Sequence, residues 1–230
     1  LLEDVHAEDL IFMEKGHEIS DLLIQQQKIW DNEYRTKGRL WGKVPFEPTA
    51  GSNKGIFLDL GCGDGKNLRR GENGTMRIGL DFSMHALRLC RKNPDLCDVT
   101  CLCADVRHLP IKNNAIQSID AHHILGHLLS PDRYLCSNEI NRILSPGGEV
   151  LITVFGSEDL RYGHGYEVEP GTFMKGTGII THYFSSDEIN KIFLDMDQVS
   201  LEPCSWIMKV KGNEYVRSTW VVTYKKVNTY

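Results

Sequence analysis

The stretch Asp59-Leu60-Gly61-Cys62-Gly63-Asp64-Gly65 sets glycines at alternate positions behind a carboxylate. Glycine carries no Cβ, so the backbone at 61, 63 and 65 can turn sharply and come close to a ligand. The amides there, and at the start of a helix opened by Lys66-Asn67-Leu68, can hold an anionic group. Further on, the run Arg77-Ile78-Gly79-Leu80-Asp81 ends a second apolar segment in a carboxylate. An acid at that separation is placed to accept the hydroxyls of a ribose. This is the chemistry of a nucleotide site. Lys66 stands where the dinucleotide fingerprint G-x-G-x-x-G needs its third glycine, which argues against a dinucleotide.

The order Asp-x-Gly-x-Gly-x-Gly resembles the first motif of class I S-adenosylmethionine-dependent methyltransferases. Leu144-Ser145-Pro146-Gly147-Gly148 is similar to the L-x-P-G-G turn of that family, and Cys103-Ala104-Asp105-Val106 stands where it keeps an adenine-binding acid. The resemblance covers residues 55–155 well and the rest in outline. It implies S-adenosylmethionine as cofactor and S-adenosylhomocysteine as product. Asp59, Gly61, Cys62, Gly63 and Asn67 would then contribute from the loop, and Asp81, Phe82 and Ser83 from the end of the second strand. Asp105 would accept from the adenine amine with the Val106 amide on the ring, and His122 would line the methionine or ribose end. A looser resemblance, Trp30-x-x-x-Tyr34 followed by Trp41-Gly42, points to small-molecule methyltransferases of the tellurite-resistance kind.

Other residues bear on the acceptor. After the fourth strand the chain reads Asp120-Ala121-His122-His123-Ile124, where enzymes that methylate exocyclic base amines or glutamine amides carry Asn/Asp-Pro-Pro-Tyr/Phe. Pro203-Cys204 lies in the wrong segment for the nucleophile of a cytosine-5 methyltransferase. His123 and His127 are spaced like zinc ligands, yet H-E-x-x-H is not completed, so no metal is expected. Cys101 and Cys103 lack C-x-x-C spacing and read as core thiols. Methyl transfer from a sulfonium needs a base only when the nucleophile carries a proton, and histidine suits that task. His164 is the first candidate and His127 the second. Tyr34 and Trp41 are expected in a lid, with Arg161, Tyr162 and Tyr166 contacting substrate from a glycine-rich loop over 156–184.

These residues need rigid elements behind them. Strands are expected at 55–60, 77–81, 99–103, 116–122 and 149–155, with helices at 83–92 and 131–144, the latter carrying Tyr134, Leu135, Ile140, Ile143 and Leu144. Ser185 with Glu188 reads as a capping box, and 199–210 with 215–225 as a hairpin. Alternating βα units make the fold α/β: doubly wound, with a mainly parallel seven-stranded sheet and a C-terminal antiparallel hairpin. Residues 1–54 form an N-terminal lid segment on a methyltransferase domain at 55–230, one structural domain overall. At 230 residues and 41% hydrophobic, one core is the expectation.

A net charge of -5 gives no global pull toward nucleic acid or membrane. Leu1 is not a start methionine, and the acids near it do not resemble a signal peptide. Seven cysteines, an odd number, suit reduced thiols in a cytoplasmic enzyme. A small-molecule acceptor is the leading expectation. The alternatives are a tRNA or protein acceptor and a non-catalytic cofactor-binding scaffold.

Overall fold

β1 (Ile56–Leu60) is buried at all but its first residue, as a strand must be when both faces of a parallel sheet are covered. The computed structural model describes residues 25–40, 55–69 and 75–228. Beside β1 lie β2 (Met76–Asp81) and then β3 (Thr100–Cys103) on one flank. β4 (Ile116–His122) and β5 (Leu144–Phe155) lie on the other. All five run parallel. β9 (Met196–Val210) and β10 (Asn213–Lys226) complete the sheet in the order β3-β2-β1-β4-β5-β10-β9, with β10 antiparallel to both its neighbours. The α/β fold is as expected. Strand order reverses between β1 and β4, and ligands of such sheets bind in the crevice beyond the strand C-termini at that reversal.

Helix α1 (residues 25–37) is followed by α2 (Met84–Arg91), α3 (Ser130–Ile143) and α4 (Ser186–Ile192). Ser83 caps α2, its side chain accepting from the Ala86 amide, and Ala86, Leu87 and Cys90 form the buried face. Burying Leu87 alone stabilises that packing by about 1.5–3 kcal/mol. Ser185 caps α4 by accepting from the Glu188 amide. The Glu188 carboxylate does not close the box; it turns to His182 and Arg133.

Three expectations need correcting, and α3 adds a detail of its burial. The segment 156–184 is not a loop but carries a three-stranded antiparallel sheet: β6 (Tyr166–Glu169), β7 (Thr172–Met174) and β8 (Ile180–His182). Its glycines serve the turns, Gly165, Gly171 and Gly178 all having positive φ. The Pro146-Gly147-Gly148 turn lies inside β5, where the ladder to β4 jumps from Ile116↔Leu144 to Ser118↔Glu149. Behind the glycine loop the described helix is one 3-10 turn, Asn67–Arg69. On α3, Tyr134 and Leu135 are exposed, and the buried face is Cys136, Ile140 and Ile143 with Asp132, Arg133 and Ser137.

Candidate functional site

The ends of β1 to β4 converge on a cavity of about 510 Å³. Its floor is the glycine loop. Gly61 and Cys62 both donate their amides to the Leu80 carbonyl, at 2.8 and 2.9 Å, which ties the loop to β2. Gly61, Gly63 and Gly65 have φ of 79, 54 and 81, a region where a side chain would be strained. At the end of β2, Asp81 accepts the Gly63 amide at 2.9 Å and the Ser83 amide at 2.8 Å. Burial raises its carboxyl to about 6, against the pull of the Ser83, Gly63 and Phe82 amides.

Asp59 lies directly opposite Asp120 on the neighbouring strand. It is 1% exposed, its Oδ2 has no hydrogen-bond partner, and burial followed by the fields of Asp120 and Asp81 pushes its pKa well up. Carboxylates gathered at a strand reversal with an orphaned oxygen make a site short of positive charge. Such a site fits a cationic ligand group.

Phe82, Cys103, Ala104 and Val106 form an apolar slot between Asp81 and Asp105. Both Asp105 oxygens accept from the Arg107 Nε, at 2.9 and 3.0 Å. Burial alone would raise the Asp105 pKa, but the hydrogen bonds from Arg107 hold it below the usual carboxylate value. Arg107 also reaches Asp132 at 3.4 Å.

The roof comes from α1, with Gln26, Gln27, Trp30 and Tyr34 lining the cavity. Gln27 donates to the Phe82 carbonyl at 3.1 Å, and Gln26 to the Gly178 carbonyl at 2.7 Å. Asp31 accepts the Ser83 hydroxyl at 2.8 Å and the His85 amide at 3.0 Å, fixing α1 to the start of α2. Arg39 pairs with Asp64 at 2.5 Å.

The far wall is His122, His123 and His127. His122 Nδ1 meets Thr153 Oγ1 at 3.0 Å. His123 holds a left-handed backbone at φ 61 and stacks on Phe155 with ring centroids 4.1 Å apart. A non-glycine residue held there is strain of the kind that collects at functional sites. His127 Nδ1 meets the Ile180 carbonyl at 2.7 Å, and its ring sits edge-on to Trp30 at 4.7 Å. Burial lowers its pKa to about 4, so the ring is neutral at pH 7.

The structure thus brings Gly61, Cys62, Gly63, Asn67, Asp81, Phe82, Asp105, Val106, His122, His127 and Tyr34 to one cavity. Asp59 is buried and is not part of the cavity lining, and Ser83 acts through the α2 cap rather than the cavity wall. His164 is exposed and away from the cavity, which removes the geometric basis for it as a base. Tyr166 is exposed on β6, and Tyr162 packs edge-on against Phe173 and Tyr183, so neither lines the cavity. Trp41 lies outside the described residues. Cys103 is exposed to the cavity rather than buried in the core. Sequence reasoning missed Gln26, Gln27 and Arg107 as site residues and weighed His123 only as a metal ligand; only Trp30 beside Tyr34 signalled a roof. Among the described residues, no group of three His, Cys, Asp or Glu side chains could hold a metal, and no helix is long and apolar enough to cross a membrane.

Residues 58–152 match the family described as Methyltransferase domain. The matched segment runs from β1 to β5 and contains the glycine loop, Asp81, Asp105 and the histidine wall. A SAM-dependent methyltransferase from Methanosarcina mazei superposes with a TM-score of 0.63 at 20% identity, over 77% of this chain and 95% of that one. The fold is therefore that of the class I methyltransferases. Two curated relatives are a tRNA N(3)-cytidine methyltransferase METTL2 from Gallus gallus and the tRNA (carboxymethyluridine(34)-5-O)-methyltransferase ALKBH8 from Mus musculus. The first is 26% identical over 66% of this chain and 45% of its own length. The second is 25% identical over 67% of this chain and 22% of its own. The chain spans less than half the length of these relatives.

Proposed function

We propose that the chain is an S-adenosylmethionine-dependent methyltransferase whose acceptor is a tRNA nucleoside. The observation that carries the cofactor reading is Asp81, fixed by two backbone amides beside a loop of left-handed glycines. A carboxylate so held still has lone pairs for two ribose hydroxyls. The slot from Phe82 to Asp105 suits a flat heterocycle, with Asp105 as acceptor for its amine and the Val106 backbone beside it. The partnerless oxygen of Asp59 fits a cationic amino-acid end. S-adenosylmethionine, when bound, supplies a methyl group activated on sulfur.

The chain's own task is alignment and exclusion of water. Trp30 and Tyr34 cover the cavity, and the neutral His127 presents no charge to a sulfonium. With Nδ1 donating to Ile180, its other nitrogen can only accept.

The tRNA acceptor is supported by the names of the two curated relatives. A small-molecule acceptor, including the tellurite-resistance branch, is the second reading, favoured by the net charge of -5. Calorimetry with S-adenosylmethionine tests the first step, and absence of heat together with absence of a thermal shift would sink the proposal. Incubation with labelled cofactor and either unmodified tRNA or a panel of thiols, metalloids and small acids then separates the acceptors. Label in the panel and none in tRNA would reverse the order of the two readings.

A further inference from the structure

Beyond His123 the cavity wall continues into a cationic cluster. The His123 ring stacks on Phe155, and the Arg161 guanidinium lies over the other side of this contact, 4.2 Å from the Phe155 centroid. Arg217 approaches the same ring at 5.3 Å. Both arginines share one acid, Asp159, whose Oδ1 accepts Arg161 Nε at 2.9 Å and whose Oδ2 accepts Arg217 Nε at 2.7 Å. Lys175 is a third cation, its ammonium held below its usual pKa by burial and by repulsion from Arg161 and Arg217. Two guanidinium groups against one carboxylate leave an excess of positive charge, to which Lys175 adds. The nearby acids do not offset it: Glu169 is paired with Arg133, and Glu188 with His182 and Arg133.

Two hydrogen-bonding atoms in this cluster are buried without partners, Arg161 Nη2 and Tyr183 Oη. Tyr183 is only 3% exposed. A purely architectural role, tying the turn after β5 to β10, needs one arginine on Asp159 and leaves no donor stranded. A stranded buried donor costs about 1–3 kcal/mol unless something meets it.

We propose that Arg161, Arg217, Lys175 and Tyr183 receive an anionic group of the methyl acceptor, a carboxylate or a phosphate. This rests on the methyltransferase reading and adds what the acceptor must carry. The planar guanidinium fork suits two oxygens of one anion, and Phe155 beneath it holds the fork in place. The link to the cavity is Phe155, whose ring carries Arg161 and stacks on His123, a residue of the cavity wall.

The test follows the arginine Nε–H resonances of the whole chain during titration with inorganic phosphate and, separately, acetate, at fixed ionic strength. Saturable shifts at Arg161 and Arg217 with millimolar affinity are expected, weakening about tenfold or more in Arg217→Gln. Arg161→Lys, which keeps the charge and the pair to Asp159, should weaken binding several-fold by losing the fork. Response to acetate alone identifies a carboxylate and response to phosphate alone a phosphate; either supports the proposal. Absence of a saturable shift with both anions overturns it. S-adenosylhomocysteine titrated into the same samples scores the cofactor site separately. Its failure to bind beside intact anion binding would refute the methyltransferase reading, whereas its binding unchanged beside absent anion binding would refute only the acceptor site.

Discussion

A Cβ built on Gly63 would lie 2.4 Å from the Tyr34 hydroxyl oxygen, so the tyrosine of α1 rests directly on the glycine loop. The Tyr34 hydroxyl stays protonated because burial, then Asp81 and Asp64, raise its pKa. Gly63→Ala therefore meets both a clash and a strained φ of 54. Its affinity for S-adenosylmethionine, read by calorimetry, should fall about tenfold or more, by the scale of left-handed backbone strain. Adding Tyr34→Ala should recover part of the loss, since it removes the clash and leaves the strain. Equal affinities for both variants and the parent would mean that the loop does not hold the cofactor.

Asp81 should make both stability and binding depend on pH, in opposite senses. Its folded pKa of about 6 lies above the ordinary 3.8, so the native state holds the proton more tightly than the unfolded chain. That contribution to stability is fully present below the unfolded pKa and is lost as pH rises through the folded one. Ribose hydroxyls are better accepted by the ionised carboxylate, so cofactor affinity should climb over the same window and level off near neutrality. Asp81→Asn should remove the pH dependence and cost on the order of 1.5–3 kcal/mol of binding at neutral pH, the value of charged hydrogen bonds. A binding curve of unchanged shape in the variant would refute the assignment.

Asp59→Asn should raise the thermal midpoint at neutral pH and weaken the cofactor. Burial and two neighbouring acids push the Asp59 pKa up, so its stabilising contribution is lost as pH rises. An amide of the same shape carries no such penalty. A midpoint that falls, or an affinity that holds, counts against Asp59 as a binding group kept at the expense of stability.

The two histidine candidates separate cleanly. With labelled cofactor and tRNA as the assay, His164→Ala should leave the rate within about twofold, as is usual for an exposed side chain away from the site. His127→Gln should slow transfer by disturbing the wall against Trp30, without shifting any ionisation between pH 6 and 8, because the native ring titrates only near 4. A pH–rate step near 6.5 that vanishes in His127→Gln would restore the histidine as a base.

Much of the cofactor half was legible because its signals are local. The glycine spacing, the buried run of β1 and the acid closing β2 each lie within a few residues, and the Ser83 and Ser185 caps follow from single side chains. The small sheet and the cluster beside it were not, although Arg161 stood out among the basic residues. β6, β7 and β8 are three or four residues long, too short for a periodic pattern, and their turn glycines imitate a loop. The basic residues look scattered along the chain, yet Arg161, Lys175 and Arg217 gather in space because β10 runs antiparallel to β5 and returns beside its end. Gln26 and Gln27 gave no signal, since a polar helix position usually faces water. Here they face the carbonyls of Gly178 and Phe82.

The cover supplied by α1 has a consequence for inheritance. Gln26, Gln27, Trp30 and Tyr34 all precede residue 58, where the match to the methyltransferase family begins. A chain that borrowed only the matched segment would gain a vessel for the methyl donor and leave its cover behind. The glycine loop and its cover thus lie on parts of the chain that can diverge at different rates. Drift in α1 could reshape that cover while every glycine of the loop stayed in place.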